Sequence, residues 1–375
     1  MHYDLSFTDM QIRAARSAAT RAGEEGQEAW IARTRTITTR LEALFLRQGL
    51  CLKVFAPRED WDVGHPGSYL WAGTPLGVAT RIQNLFALHG LAPRVYGLAT
   101  VNGEYAAQIV DYALDVGKAD PGKAEKVAER YGIGIRDLVH SEATRKAYLA
   151  RPEKWVGGQL VDFGRFLCRD WHAYEVRLRQ HVARYHKKTH SGADLKIGYQ
   201  PCPELKVAGK RDVASRWAQM GLDKMDLTGK RCLDLGCNQG AFTRLLEQQG
   251  ATRVVGVDHK FAAGNRELAN WLGCWRADFV ELNLPGDWRK IATQTGIVEF
   301  DVVLCLSVLG HAGGYARWFP TLVAPGGVVL FEGQGSDSRA TYQKLLERDF
   351  EQVEWLGEVR DHGVHPLWRL TKGGG

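Results

Sequence analysis

Between residues 229 and 260 the chain reads GKRCLDLGCNQGAFTRLLEQQGATRVVGVDHK, and this stretch limits the possible fold more than any other. An apolar run ends at a glycine-rich turn, a helical run follows, and a second apolar run ends in Asp258. The run RCLDLG is apolar apart from Asp234, as expected of a strand covered on both faces inside a parallel sheet. Parallel neighbours need a crossover, and AFTRLLEQQG supplies the helix for it. Gly236 and Gly240 let the backbone of the turn approach a ligand closely. The amides that open the following helix favour a polar or anionic group. Asp258 stands where a carboxylate can accept both hydroxyls of a ribose. After Thr228 strands and helices alternate regularly, so the C-terminal part is predicted to be α/β with a parallel sheet.

The first two hundred residues follow another pattern. Residues 8–34 read as one or two helices capped by Thr8 or Asp9. EALFLRQG and CLKVFAP, separated by a glycine, read as a hairpin. A helix over GVATRIQNLFALHG, strands over RVYGLAT and YAAQIVDYAL, and a helix around GKAEKVAERYG come next. Then, from Val176 to Ala193, VRLRQHVARYHKKTHSGA carries five Arg or Lys, three His and no acid. Such a run is either a solvated face between domains or a phosphate-binding patch. The segment YQPCPELKVAGKRD, with its prolines and glycines, reads as a connector. These features divide the chain into an α+β domain over 1–175, a basic connector over 176–210 and an α/β domain over 211–375.

Composition excludes several classes. A length of 375 residues suits two ordinary domains, and 45% hydrophobic with 25% charged residues suits a globular protein. No apolar run reaches about 18 residues, so no membrane span is expected. The opening MHYDLSFTDMQIRAARS has no apolar signal core, and the seven cysteines form no CxxC pair. That pattern argues against a zinc site and a disulfide framework and for a reducing compartment, and sets the expectation of a cytoplasmic protein without a metal. Twelve tryptophans offer stacking surfaces for sugars or bases, or simply fill the core.

The form of the glycine turn resembles the first motif of the class I S-adenosylmethionine-dependent methyltransferases, apolar-D-apolar-G-x-G/N-x-G. Asp234, Gly236, Asn238 and Gly240 stand in that pattern, with Asn in place of the commoner middle glycine. WRADFVEL resembles the adenine-contacting segment, through Asp278 and Phe279. FDVVLCLSVLGHAGG resembles the fourth strand and its loop, and LVAPGGVVLFEGQG the turn and fifth strand. The resemblance covers residues 200–372 and implies a Rossmann-like seven-stranded sheet. It further implies an S-adenosylmethionine pocket drawn from Asp234, Gly236, Cys237, Asn238, Gly240, Asp258, His259, Asp278, Phe279 and Ser307. A nicotinamide enzyme is disfavoured, because the third glycine of GxGxxG is missing.

Methyl transfer to a hydroxyl requires an in-line acceptor and removal of its proton. His311, in the loop after the fourth strand, is the candidate base, or else a histidine that closes the loop. Glu332, at the end of the fifth strand, is a candidate to orient the acceptor, or else a carboxylate held by an amide. No NPPY-type motif for exocyclic amino groups is present. GKRDVASRWAQMGLDKMDLTGKRCLDLG resembles the segment leading into tRNA wobble-uridine modifying methyltransferases and some small-molecule relatives. That likeness makes Arg211 or Arg216 a candidate to neutralise the cofactor carboxylate or an acidic substrate.

The first half resembles the protein-kinase-like fold more faintly. LCLKVFAP looks like the strand of the phosphate-binding lysine, here Lys53. GIGIRDLVHSE resembles the catalytic loop, with Arg136 and Asp137. QLVDFGRF resembles the metal-binding triplet, with Asp162, Phe163 and Gly164. The departures are definite: no glycine-rich loop precedes Lys53, GVATRIQNL lacks the pairing glutamate, and Glu142 stands where a metal-binding asparagine belongs. The resemblance therefore implies a degenerate kinase-like domain used for docking, with Mg-ATP use as the alternative.

Kinase-methyltransferase fusions occur in bacterial surface-polysaccharide enzymes. Together these resemblances imply methyl transfer to an oxygen of a glycan or phosphosugar. An RNA methyltransferase, a bifunctional kinase-methyltransferase and a non-catalytic cofactor-binding scaffold stay open beside it.

Overall fold

In a computed structural model of the chain, the described residues are 2–5, 28–31, 50–55, 75–101, 105–111, 118–135, 142–152, 155–156, 158–160, 163, 166–168, 171–188, 194–284, 286–308, 318–333, 339–360 and 364–374. The chain divides into two compact units: Met1–Glu175 with Asn270–Trp275, and Val176–Ala269 with Arg276–Gly375.

The first unit is built on five strands: β1 (His2–Leu5), β2 (Glu28–Ile31), β3 (Leu50–Phe55), β4 (Val95–Val101) and β5 (Tyr105–Asp111). Their order is β1-β4-β5-β3-β2. Strand β3 is flanked by β2 and β5, and the predicted hairpin partner EALFLRQG lies outside the described residues. Glu28–Ile31 is a strand where a helix was expected, because Trp30 and Ile31 pair with Lys53 and Leu52. Helix α1 (Pro75–Ala87) follows β3 in sequence. It is tied to the sheet by Gln108 Nε2 donating to Thr80 Oγ1 at 2.6 Å and by Asn84, which bonds the Val95 backbone in both directions. Helix α2 (Pro121–Arg130) starts at Asp120, whose carboxylate accepts from the Lys123 amide, and has proline in its first turn. Helix α3 (Glu142–Leu149) packs against α2 through Arg145, which donates to Glu125. Two short strand pairs, β6 (Ile133–Ile135) with β9 (Phe166–Cys168) and β7 (Trp155–Val156) with β8 (Gln159–Leu160), belong to this unit.

The second unit begins within helix α4 (Trp171–Val182) and continues through the antiparallel pair β10 (Tyr185–Lys188) and β11 (Asp194–Ile197). Helix α5 (Val213–Gln219) is capped by Asp212, which accepts from the Ser215 amide at 2.9 Å. Then comes the alternation: β12 (Arg231–Leu235), α6 (Ala241–Gln248), β13 (Arg253–Asp258), α7 (Ala262–Trp271), β14 (Ala277–Glu281), α8 (Lys290–Thr295), β15 (Phe300–Leu306), β16 (Val323–Glu332), α9 (Arg339–Asp349), β17 (Gln352–Arg360) and β18 (Val364–Thr371). The sheet order is β14-β13-β12-β15-β16-β18-β17. The first five are parallel, and β18 runs antiparallel to both β16 and β17.

The two faces follow the two-residue period of a strand. Leu233, Leu235, Val255 and Val257 join Phe319, Phe331, Phe350 and Trp368 on one side. Cys232, Val254, Val302 and Leu304 join Leu222, Phe242 and Leu246 on the other. Both layers exclude water, which is why these strands read as unbroken apolar runs. Tryptophans of this unit serve the core: Trp318 and Trp368 are buried, and Trp217, Trp288 and Trp355 pack against it. Among the described residues no helix is long and apolar enough to cross a membrane.

Candidate functional site

Strand β12 ends at the sheet's C-terminal edge, and Gly236–Gly240 turn the chain into α6. Gly236 and Gly240 hold φ of +70° and +73°, and Asn238 holds +50°. A Cβ on Gly240 would stand 2.5 Å from the Phe279 ring, and one on Gly236 would overlap Val308. The glycines are therefore required both by handedness and by space. The turn is pinned to β13, since the amides of Gly236 and Cys237 donate to the Val257 carbonyl at 2.8 and 3.0 Å. Asn238 tolerates its left-handed backbone because its side chain bonds locally, Oδ1 accepting from the Gln239 amide at 2.9 Å.

Two carboxylates border this turn. Asp234 is buried and accepts from Thr243 Oγ1 at 2.7 Å. Burial pushes its pKa up to about 7, against the Thr243 bond and with help from the like charge of Asp258. Asp258 accepts the Asn238 amide at 2.9 Å through Oδ2. Its Oδ1 makes no hydrogen bond among the described residues and lies 2.8 Å from Nδ1 of the mostly exposed His259 ring. A ligand donating to this buried oxygen would lower the cost of burying it.

Residues 176–211 contribute directly to the turn. The Gln200 side chain accepts from the Ala241 amide at 2.9 Å and so occupies the first amide of α6. Gln239 accepts from the Tyr199 and Gln200 amides at 3.1 and 3.3 Å and donates to the Val182 carbonyl at 2.5 Å. The Asn265 amide donates to the Asn238 carbonyl at 2.6 Å, and its Oδ1 lies 2.9 Å from His181 Nε2. Asn265 therefore requires a proton on His181 Nε2, and His181 Nδ1 accepts from Arg184 at 3.0 Å. Burial lowers the His181 pKa, so the ring is held neutral. Gly264 leaves the room this ring occupies.

A second polar cluster lies along the same edge, past β15. Ser307, with φ +57°, donates to Glu332 Oε1, and Arg216 donates to Glu332 Oε2. Arg216 and Glu332 are both buried, and the guanidinium lies 5.5 Å from the centre of the Phe242 ring. His365, near the start of β18, completes the cluster, with Nδ1 3.3 Å from the Gly333 carbonyl and 3.5 Å from Ser307 Oγ.

Several residues singled out in the sequence lie together here. Asp234, Gly236, Asn238, Gly240 and Asp258 share one turn and its flanking strand ends. Cys237 places its thiol beneath the turn, where burial beside Asp234 and Asp258 pushes its pKa well up and keeps it protonated. Asp278 and Phe279 do not reach the position expected of them. Asp278 pairs with Val255, three residues back from the Asp258–Glu281 edge, and is held by Arg253. Phe279 is buried against Gly240 and Gly256. At the edge itself the chain presents Leu282 and Asn283, the Leu282 amide donating to the Asp258 carbonyl at 2.9 Å. Arg211 is stacked over Tyr199 and donates to its hydroxyl at 2.7 Å. His311, Asp137 and Asp162 lie outside the described residues. Lys53 sits on β3 in register with Trp30 and Gln108. Sequence reasoning missed His181, Gln200, Gln239, Asn265 and His365. Polar residues within otherwise apolar stretches were the available signal.

The charge pattern selects among ligands. Two carboxylates flank the turn, and the first helix amide is already taken, so the turn is unsuited to a pyrophosphate. It suits a cationic ligand that carries hydroxyl donors. S-adenosylmethionine, with its sulfonium, ammonium and ribose diol, matches the Asp234 and Asp258 carboxylates in charge and in hydrogen-bonding type.

Residues 208–371 match the family described as a methyltransferase domain. This part of the chain is a methyltransferase domain that uses S-adenosylmethionine. Relatives of the methyltransferase domain include two proteins named ubiquinone biosynthesis O-methyltransferase. That from Stutzerimonas stutzeri is 29% identical over 198 residues, 51% of this chain and 76% of that protein. That from Pseudomonas fluorescens is 27% identical over the same shares. Among solved structures, the bifunctional kinase-methyltransferase WbdD aligns with a TM-score of 0.38 and 21% identity, over 46% of this chain and 43% of that one. The match thus spans under half of the WbdD chain.

Proposed function

We propose that the methyltransferase domain transfers methyl to an oxygen, with a hydroxyl of a glycan or phosphosugar as acceptor. The observation that carries the cofactor half is the buried Asp258 carboxylate, whose Oδ1 lies 2.8 Å from the exposed His259 ring, beside a turn that only glycines can make. The relatives named O-methyltransferase support oxygen as the acceptor atom. When bound, the cofactor supplies a methyl group made electrophilic by its sulfonium. Asp258 takes the ribose hydroxyls, the Gly236–Gly240 backbone lines the amino-acid portion, and Asp234 offsets its positive charge. Ser307, Glu332 and Arg216 form a rigid floor on the acceptor side and keep bulk water from the reacting atoms. The first unit is proposed as a degenerate kinase-like domain that holds the acceptor. Lys53 on a strand flanked on both sides, followed in sequence by α1, supports that reading. In α1 the link to the sheet runs through Thr80 and Gln108, with no carboxylate in that helix to pair a lysine.

A second reading, favoured by the relatives' names, takes an intermediate of quinone biosynthesis as the acceptor. One experiment separates them: methyl-labelled S-adenosylmethionine is incubated with cell extract, which is then fractionated into polysaccharide with nucleotide sugars, lipid-soluble quinones, RNA and protein. Asp258→Ala serves as the control and is expected to raise the cofactor Kd about 10- to 100-fold, as loss of charge-assisted bonds should. Label among sugars supports the first reading, and label among quinones supports the second. Label in RNA overturns both, and would come with affinity that falls steeply with salt. Cofactor binding without any label would make the domain a scaffold. Binding or hydrolysis of Mg-ATP that Lys53→Ala abolishes would overturn a degenerate kinase-like unit and make the protein bifunctional.

A further inference from the structure

His365, which the sequence did not single out, stands beside the Ser307–Glu332–Arg216 cluster. His365 Nδ1 faces the Gly333 carbonyl at 3.3 Å. A carbonyl only accepts, so the ring hydrogen resides on Nδ1 and the lone pair on Nε2. That Nε2 is buried and has no hydrogen-bond partner among the described residues. A buried acceptor without a donor is costly in a resting protein and useful in one that awaits a hydroxyl. The neighbouring carboxylate is already committed, because Glu332 receives Ser307 on one oxygen and Arg216 on the other. Glu332 is thereby removed as the group that takes a proton. Its bond instead fixes Ser307, whose oxygen lies 3.5 Å from His365 Nδ1.

The position is also right. Ser307 directly precedes Val308, and Val308 fills the space against Gly236 of the cofactor turn. His365 enters from β18, whose Leu367 pairs with Glu332. The imidazole therefore stands at the C-terminal edge of the sheet, beyond the end of β15 and beside the end of β16.

We propose that His365 is the general base for methyl transfer, a reading that rests on oxygen being the acceptor atom. The acceptor hydroxyl donates its hydrogen bond to Nε2. As the oxygen forms its bond to the methyl carbon, the proton passes to Nε2, and the carbon–sulfur bond breaks with its electron pair left on sulfur. The imidazolium is stabilised by the Gly333 carbonyl and, through Ser307, by Glu332. The proton then passes to solvent and the neutral tautomer is restored.

Three measurements on the full chain test this. Nitrogen-15 spectra of the histidine rings should show His365 protonated at Nδ1 and bare at Nε2; the opposite tautomer overturns the proposal, whatever the acceptor proves to be. His365→Gln, which keeps a hydrogen-bond donor for the Gly333 carbonyl, should bind S-adenosylhomocysteine within about threefold of wild type by calorimetry. Its kcat on the extract fraction labelled by wild type should fall about 10²- to 10⁴-fold, the usual range for losing a general base. His365→Ala should regain part of that rate with added imidazole. An undiminished kcat in His365→Gln overturns the role of His365 while leaving oxygen methylation intact. Wild-type label appearing on nitrogen or carbon overturns the oxygen reading, and with it the need for a base at this place.

Discussion

The two polar clusters at the sheet's C-terminal edge are made in different ways. The one proposed for the cofactor comes from one continuous stretch, Asp234 to Asp258, in which a strand end, a turn and the next strand end meet by local connectivity. The one proposed for the acceptor is assembled from Arg216, Ser307, Glu332 and His365, which lie on one helix, at two strand ends and near the start of an antiparallel strand. A continuous site can be recognised as a pattern, whereas an assembled site exists only after the sheet has formed. The first should therefore fail by local backbone strain, and the second by loss of a buried partner.

The sharpest test is on the assembled side. Arg216→Ala leaves the Glu332 carboxylate buried with one partner fewer, and breaking such a pair costs about 3–5 kcal/mol. Chemical denaturation should show that loss. If stability instead changes by less than about 1 kcal/mol, the cluster is not a buried unit and the contrast fails. On the continuous side, Gly240→Ala forces a positive φ and drives a methyl into Phe279. The two costs together amount to about 2–4 kcal/mol, and binding of S-adenosylhomocysteine should be lost at concentrations that saturate wild type. Retained binding would show that the turn is less constrained than its backbone implies.

Protonation separates the two sides of the turn itself. The Asp234 carboxyl titrates at about 7 in the fold against 3.8 ordinarily. Between those values the folded chain binds more protons than the unfolded one, so the stability associated with Asp234 falls as pH rises from about 4 to 7. Asp234→Asn should remove that decline and stabilise the ligand-free protein by roughly 2 kcal/mol at pH 8, seen as a higher Tm, while weakening the cofactor. His181 acts in the opposite sense and more weakly. Burial depresses its pKa below 6.5, so the unfolded chain takes up the proton first and stability falls as pH drops through the region below 6.5. His181→Asn should flatten the acid limb by about 1 kcal/mol or less, measured as Tm between pH 5 and 7. A His181→Asn profile identical to wild type would detach the 176–211 segment from the energetics of the turn.

Legibility followed the same division. Gly236, Asn238, Gly240, Asp234 and Asp258 were readable because handedness, close approach and strand length impose a fixed spacing on residues near in sequence. Asp278 was misread because its distance from the turn was right, while the register sets it three residues short of the edge, beside Arg253. Arg216 and Glu332 were noted separately for different roles, and nothing in their spacing said that they pair with each other. His365 carried no motif at all, and neither did the glutamines that wire residues 176–211 into the turn.

The sequence by itself determined the alternation of buried strands and helices, the glycine turn and the acidic end of β13, since all three are written in local periodicity and backbone geometry. Only the tertiary structure decided which carboxylates are buried, which arginine is consumed by a glutamate, and where the His365 imidazole stands at the edge of the sheet. Those outcomes depend on strand order and register across long separations, and a burial that no local pattern encodes decides whether each polar atom finds a partner.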